Sequence, residues 1–288
     1  MKKFLIFLIP LAIISMAFKS DKPAYQLFNQ SGKVIKYSKM IKSLEDADIV
    51  LFGELHNNPI AHWLELEVAK DLHASKGEKL VMGAEMFEAD NQLIIDEYFD
   101  GFFKTKKFEA EAKLWPNYST DYKPLLEFAR ENNLKFVASD VPRRYASIVY
   151  KKGLKELEKL PEASKAYLPP LPIVYDPEQP AYKEMMEMMK DMPHANDKLP
   201  KAQAIKDATM AHFILQNFTK GQQFLHFEGS YHSDNFQGIA WYLKQANPDL
   251  KIMTISCVEQ SEVNKLQEDS KGVASFIVAI NEDMTKTQ

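Results

Sequence analysis

The chain has little cysteine, little arginine, no excess of positive charge and only one long apolar run. With a single thiol, Cys257, no intrachain disulfide can form, which excludes a cysteine-stapled scaffold. Cys257 sits in "KIMTISCV" and reads as a small buried residue. No cysteine stands just after the N-terminal apolar run, where a bacterial lipid anchor would attach. The formal net charge is −4, and nothing resembles a basic nucleic-acid footprint. Past the N-terminal run no stretch could span a membrane. Apart from a methionine run there is no low-complexity segment, and no linker divides the chain in two.

What is there begins with Met1-Lys2-Lys3 and "FLIFLIPLAIISMAF", closed by Lys19 and Asp21. A short basic head, an apolar run too short to span and the small residues of "SMA" predict a secretory signal peptide over 1–17, cleaved after Ala17. The expected location is periplasmic or extracellular. An uncleaved anchor is the alternative. Loss of Lys2 and Lys3 would shift the charge from −4 to −6.

Residues 18–288 then read as one α/β domain. Six apolar runs predict buried strands at 48–53, 80–85, 135–140, 224–229, 251–256 and 275–280. Helices are expected at 59–74, 122–131, 201–219 and 234–246. The first presents a stripe of Ile60, Trp63, Leu64, Val68 and Leu72, with Asn58 as cap and Pro59 in the first turn. This alternation predicts an open, mostly parallel sheet with helices on both faces. The interval 142–221 is too long for one crossover and reads as a helical insertion. The tail "NEDMTKTQ" is expected to fray.

Four strand ends carry the chemistry. They are Gly53-Glu54-Leu55-His56; Glu85 with Glu88; Asp140 followed by Arg143-Arg144; and Glu228-Gly229-Ser230-Tyr231-His232. Ligands bind open parallel sheets outside the carboxyl ends of the strands, so these residues are expected on one rim. The first and fourth ends share a Gly-x-x-His pattern. Two imidazoles, His56 and His232, with Glu54 and Glu85 form a reasonable set for a divalent metal such as zinc or manganese, or supply a general base. Each also has a plain structural use: a cap, a first-turn acid or a satisfied buried group. His226, Glu228, Glu88 and Asp140 are expected to support that set. His62, His73 and His212 fall on helices and read as solvated or locally satisfied.

Arg143 and Arg144 stand out in a lysine-dominated chain, because a guanidinium can fork onto a carboxylate. One could clamp an anionic ligand or order Glu85; a surface pair is the alternative. In "YKEMMEMMKDMPHAND", Met185, Met189 and Met192 share a helical face, as a core stripe or as an adaptable lid over a flat ligand.

The segments "VLFGELHNNPIAHWLE", "GAEMFE", "DVPRRYASIVYKKGL", "KDATMAHFI" and "HFEGSYHSDNFQGIAWYL" together resemble the ChaN-like haem-binding uptake family, grouped with the TIKI metalloproteases and erythromycin esterases. The resemblance covers roughly 40–260. It implies an exported, iron-related protein that binds haem, with the superfamily's paired motifs falling on Gly53–His56 and Gly229–His232 and its glutamates on Glu54 and Glu85. Tyr175, Tyr182 and Tyr231 are unranked candidates for a haem ligand. Two functions follow. One is haem binding for iron acquisition, using the methionines, Tyr231, Arg143 and Arg144. The other is a metal-dependent hydrolase using Glu54, His56, Glu85 and His232. A carrier of another anionic small molecule is a third. The assembly to test is a homodimer.

Overall fold

The computed structural model describes residues 22–190 and 196–287. The expected signal segment and Met192 lie outside these residues. Among the described residues there are seven strands: β1 (Tyr25–Asn29), β2 (Ile49–Glu54), β3 (Leu80–Glu88), β4 (Lys135–Asp140), β5 (Gln223–Gly229), β6 (Ile252–Gln260) and β7 (Phe276–Asn281). They form one sheet in the order β1-β7-β6-β2-β5-β3-β4. All neighbours are parallel except β1 and β7. The six expected strands are all found, and the fold is the open, mostly parallel α/β sheet that the alternation implied. Strand β1 was not expected. Its five residues form a short edge strand, which adds only one ladder and leaves little periodic signal.

The helices are α1 (Tyr37–Leu44), α2 (Pro59–Lys76), α3 (Gln92–Phe99), α4 (Thr105–Glu111), α5 (Lys123–Glu131), α6 (Arg143–Lys152), α7 (Glu162–Lys165), α8 (Pro180–Met189), α9 (Lys198–Asn217) and α10 (Ile239–Ala246). Strand alternation divides them between two layers. Val50 and Phe52 of β2 pack with Leu64, Val68 and Leu72 of α2 and Leu125 of α5. Ile49 and Leu51 pack on the other side with Met210 and Ile214 of α9 and Ile239 and Leu243 of α10. Helix α6 joins that second side through Tyr145 and Val149, which meet Ile205 of α9. Among the described residues no helix is long and apolar enough to cross a membrane.

Helix α2 shows how a polar face comes to be buried. Asn58 caps it by accepting from the Ile60 and Ala61 amides at 3.0 and 3.4 Å, and Pro59 occupies its first turn. Its inward face carries Ala61, His62, Leu64, Glu65, Val68 and Leu72. Trp63, expected on the apolar stripe, is 47% exposed and packs edge-on against Tyr25. The inward arc is therefore rotated to take in His62 and Glu65.

The tail does not fray within the described residues. The Thr287 amide donates to the Asn57 carbonyl and its hydroxyl to Asp121, each at 2.8 Å, and Lys286 pairs with Glu259. The residues after β7 thus strap the loop that follows β2.

Candidate functional site

The two Gly-x-x-His turns meet because β2 and β5 are parallel neighbours, with Glu54 in register with Gly229. They also interlock. A Cβ on Gly53 would stand 2.7 Å from the Ser230 Cα, and a Cβ on Gly229 would stand 2.7 Å from His56 Nε2. Each glycine leaves room for a residue of the other motif, which is the steric reason for both. The result is an open cleft of about 380 Å³ lined by Glu54, Leu55, His56, Gln203, Gly229, Ser230, Tyr231 and His232.

On the α2 side, Glu54 is buried at the end of β2. Its Oε1 holds His56 Nδ1 at 2.5 Å and accepts from the Tyr122 hydroxyl at 3.0 Å. Its Oε2 lies 2.9 Å from His62 Nδ1. Burial would raise the Glu54 carboxyl, but the bond with His56 and the nearness of the His62 ring bring it below the usual carboxylate range. His62 is not solvated: it is enclosed by Glu54, Glu65 and Asp121. Asp121 and Tyr122 arrive on a single π-helical turn, Tyr118–Tyr122. The ring of His56 is half exposed, at 44%.

On the α9 side, β3 breaks register with β4 between Ala84 and Glu88, and Glu85 sits in that irregularity. Its Oε2 accepts from the Gly229 amide at 2.9 Å. Its Oε1 meets Lys206 Nζ at 2.7 Å and His232 Nε2 at 3.1 Å. His232 Nδ1 is held by Asp207 at 2.5 Å. Burial alone would lower the His232 imidazolium, but Glu85 and Asp207 more than reverse this and lift it to about 10. Burial would raise Glu85, yet His232 and Lys206 hold it well below the usual range. Asp140, 3.5 Å from Lys206, is pushed up to about 7 by burial, against the pull of that lysine. His226 is a core residue, bridging Ser139 and Glu228 at 2.7 Å each.

The structure thus brings Glu54, His56, Glu85 and His232 to one rim, with Tyr231 beside them. It gives Glu85 a lysine partner and not an arginine. Arg144 is engaged by Asp90 at 2.5 Å and lies over the Tyr145 ring, while Arg143 is exposed. Glu88 pairs with Lys113 at the surface. Met185 is buried, Met189 is half-buried, and Met188 is 60% exposed. Tyr182 is buried with its hydroxyl toward Asp207, and Tyr175 stacks on it. Among the described residues, the His, Cys, Asp and Glu side chains whose ligand atoms gather in a group of three within 4.8 Å are Glu54, His62 and Glu65.

Sequence reasoning missed His62, Glu65, Asp121, Gln203, Lys206 and Asp207. For the last three a signal exists: positions i, i+3 and i+4 place them on one face of a helix otherwise rich in alanine and isoleucine.

Residues 40–243 match the family described as "Haem-binding uptake, Tiki superfamily, ChaN". The solved structure of ChaN from Campylobacter jejuni, described for cofacial haem binding, superposes with a TM-score of 0.66 at 18% identity, covering 88% of this chain and 96% of that one. A Bacillus cereus protein superposes with a TM-score of 0.52 at 12% identity, covering 87% and 92%. At these identities the likeness is one of fold. The chloroplastic protein RETICULATA-RELATED 5 of Arabidopsis thaliana is 27% identical over 135 residues, 45% of this chain; the chain spans only 18% of that relative's length. With that match spanning both Gly-x-x-His turns, the chain belongs to the ChaN family of haem-binding uptake proteins in the Tiki superfamily.

Proposed function

We propose that the protein binds haem at this cleft and is exported to serve haem or iron uptake. The observation that carries the reading is the open cleft at the carboxyl ends of β2 and β5, in a chain that belongs to a haem-binding family. Haem is flat and largely apolar, with two carboxylates, so it calls for an adaptable apolar surface, an iron ligand and nearby cations. Helix α8 is fixed beside the cleft: the Tyr231 hydroxyl donates to the Ala181 carbonyl at 2.8 Å, and the Ala181 amide donates to Gln237 at 2.7 Å. It offers Met186, Met188 and Met189 as repackable surface. His56 and Tyr231 are the cleft side chains suited to iron. The Nδ1 of His56 is already engaged by a carboxylate, which favours its use as a ligand through Nε2. Arg143 offers an exposed forked donor for a propionate.

Hemin is expected to give a saturable Soret shift with the purified protein. Replacing Met186, Met188 and Met189 with alanine should weaken it about tenfold, in line with losing a few buried methylene groups. H56A or Y231F should move the band itself, whichever residue meets the iron. R143A should weaken hemin more than an uncharged porphyrin ester. A wild-type protein without a saturable shift would refute the reading. Export has its own test: N-terminal sequencing of protein from the native cell should begin just after Ala17, and intact Met1 on a cytoplasmic product would refute it.

The hydrolase alternative draws on one feature, His232 clamped between two buried carboxylates beside the Gly229 amide. That clamp keeps His232 protonated at neutral pH, so it suits an acid and not a base.

A further inference from the structure

Beneath the cleft, three carboxylates surround one imidazole. Glu54 Oε2 and Glu65 Oε2 stand 2.9 and 3.0 Å from the same atom, His62 Nδ1. Asp121 Oδ2 lies 3.3 Å from the opposite ring nitrogen. One nitrogen carries at most one hydrogen, so Nδ1 can serve only one of the two glutamates. Glu54 Oε2 and Glu65 Oε1 are both left without a hydrogen-bond donor, and both residues are fully enclosed. No lysine or arginine pairs with Glu54, Glu65 or Asp121 among the described residues. Even with His62 protonated, the cluster would carry excess negative charge in the core, an arrangement that is costly unless a cation joins it.

From this geometry we propose that Glu54, His62 and Glu65 hold a divalent transition-metal ion below the cleft. Two carboxylate oxygens and one imidazole nitrogen suit zinc, manganese or ferrous iron. Their ligand atoms lie within 4.8 Å of one another, a spread that an ion with bonds of about 2.0–2.2 Å can draw in. The remaining ring N–H of His62, at Nε2, would then donate to the His56 carbonyl at 3.3 Å, with Asp121 Oδ2 equally near, the kind of outer partner a metal-bound histidine uses. Glu54 would hold the ion through Oε2 while Oε1 keeps His56 in place, so the ion would stiffen the cleft floor. This set differs from one built on the two motif histidines: His232 and Glu85 already have a cation, Lys206. The site does not depend on haem binding.

A proton shared by the two glutamates is the competing answer to the same excess charge. Burial, with Glu54 beside it, lifts Glu65 to about 8. The test strips the purified full chain with chelator, reloads it with zinc or manganese alone, and counts the metal retained after gel filtration. About one equivalent is expected, with a higher melting temperature on loading. Glu65→Gln, nearly isosteric, should lower affinity at least tenfold and abolish that rise while keeping its circular dichroism. His62→Gln should do the same, and His232→Gln should leave metal retention unchanged. Overturning results would be a wild-type chain that retains neither ion, which leaves the shared proton, or metal that survives Glu65→Gln and is lost with His232→Gln, which moves the ion into the cleft.

Discussion

Replacing Lys206 with methionine should lower stability by about 3 kcal/mol and the melting midpoint by roughly 6–12 °C. Removing one partner of a buried ion pair leaves the other charged and undersolvated, and here one ammonium faces two acids, Glu85 at 2.7 Å and Asp140 at 3.5 Å. The loss falls at the low end of the usual range because 26% of the lysine side chain still reaches solvent. The pH dependence supplies a check on the cause. In the wild type, Glu85 is depressed below its unfolded value, so it contributes stability above about pH 4.5 that is lost as pH falls through the folded value. Without Lys206 that depression weakens, and Asp140, already at about 7, rises further. A raised acid binds an extra proton in the folded state, so the variant loses stability as pH increases. The gap between the two proteins should therefore be largest near pH 8, narrow as pH falls past the Asp140 value of about 7, and close further only well below pH 4.5, where folded Glu85 takes up its proton, as measured by urea unfolding. K206M combined with E85Q should recover part of the loss, because the pair is coupled. A gap that stays constant with pH would mean that the lysine acts only through its packed stem.

Lys206 also marks where the sequence stops being readable. The six buried strands could be found because apolar runs of five or six residues are local features, and the rim followed from the rule that parallel strands point their carboxyl ends the same way. The partners could not be found that way. A lysine on a helix is ordinarily a solvated residue, and only the arrival of Glu85 and Asp140 from β3 and β4 makes this one internal. His62, read as solvated or locally satisfied, does meet Glu65 on its own helix, but its distant partners were hidden for the same reason. Its acids come from the end of β2, from the next turn of its own helix and from a π-helical turn near residue 121. The short edge strand β1 depends on backbone hydrogen bonds, which leave no mark in side-chain pattern, and the strapped tail adds to one such bond the contacts of Lys286 and Thr287 with acids far away in the sequence.

The paired glycines offer a prediction in which two similar changes should behave differently. A Cβ at position 53 meets backbone, 2.7 Å from the Ser230 Cα and 3.1 Å from the Ile255 carbonyl oxygen. Neither can move without separating β5's turn from β2 or distorting the ladder with β6, so Gly53→Ala should cost about 2–3 kcal/mol, toward the upper end for overpacking. A Cβ at position 229 would press on the His56 ring, which is half exposed and can swing outward, and would sit at an ordinary 3.6 Å from Glu85 Oε2. Gly229→Ala should therefore cost less than Gly53→Ala, about 1–2 kcal/mol, because no backbone has to move and the loss is mainly one bond to a buried carboxylate. It should break the 2.5 Å contact between Glu54 and His56 and weaken hemin binding if His56 meets the iron. Thermal unfolding and a hemin titration on both variants separate the two effects. If Gly53→Ala is as mild as Gly229→Ala, the interlock of the two turns is not what requires glycine at 53. If Gly229→Ala leaves hemin binding and the Soret position untouched, His56 is not the ligand and Tyr231 takes its place.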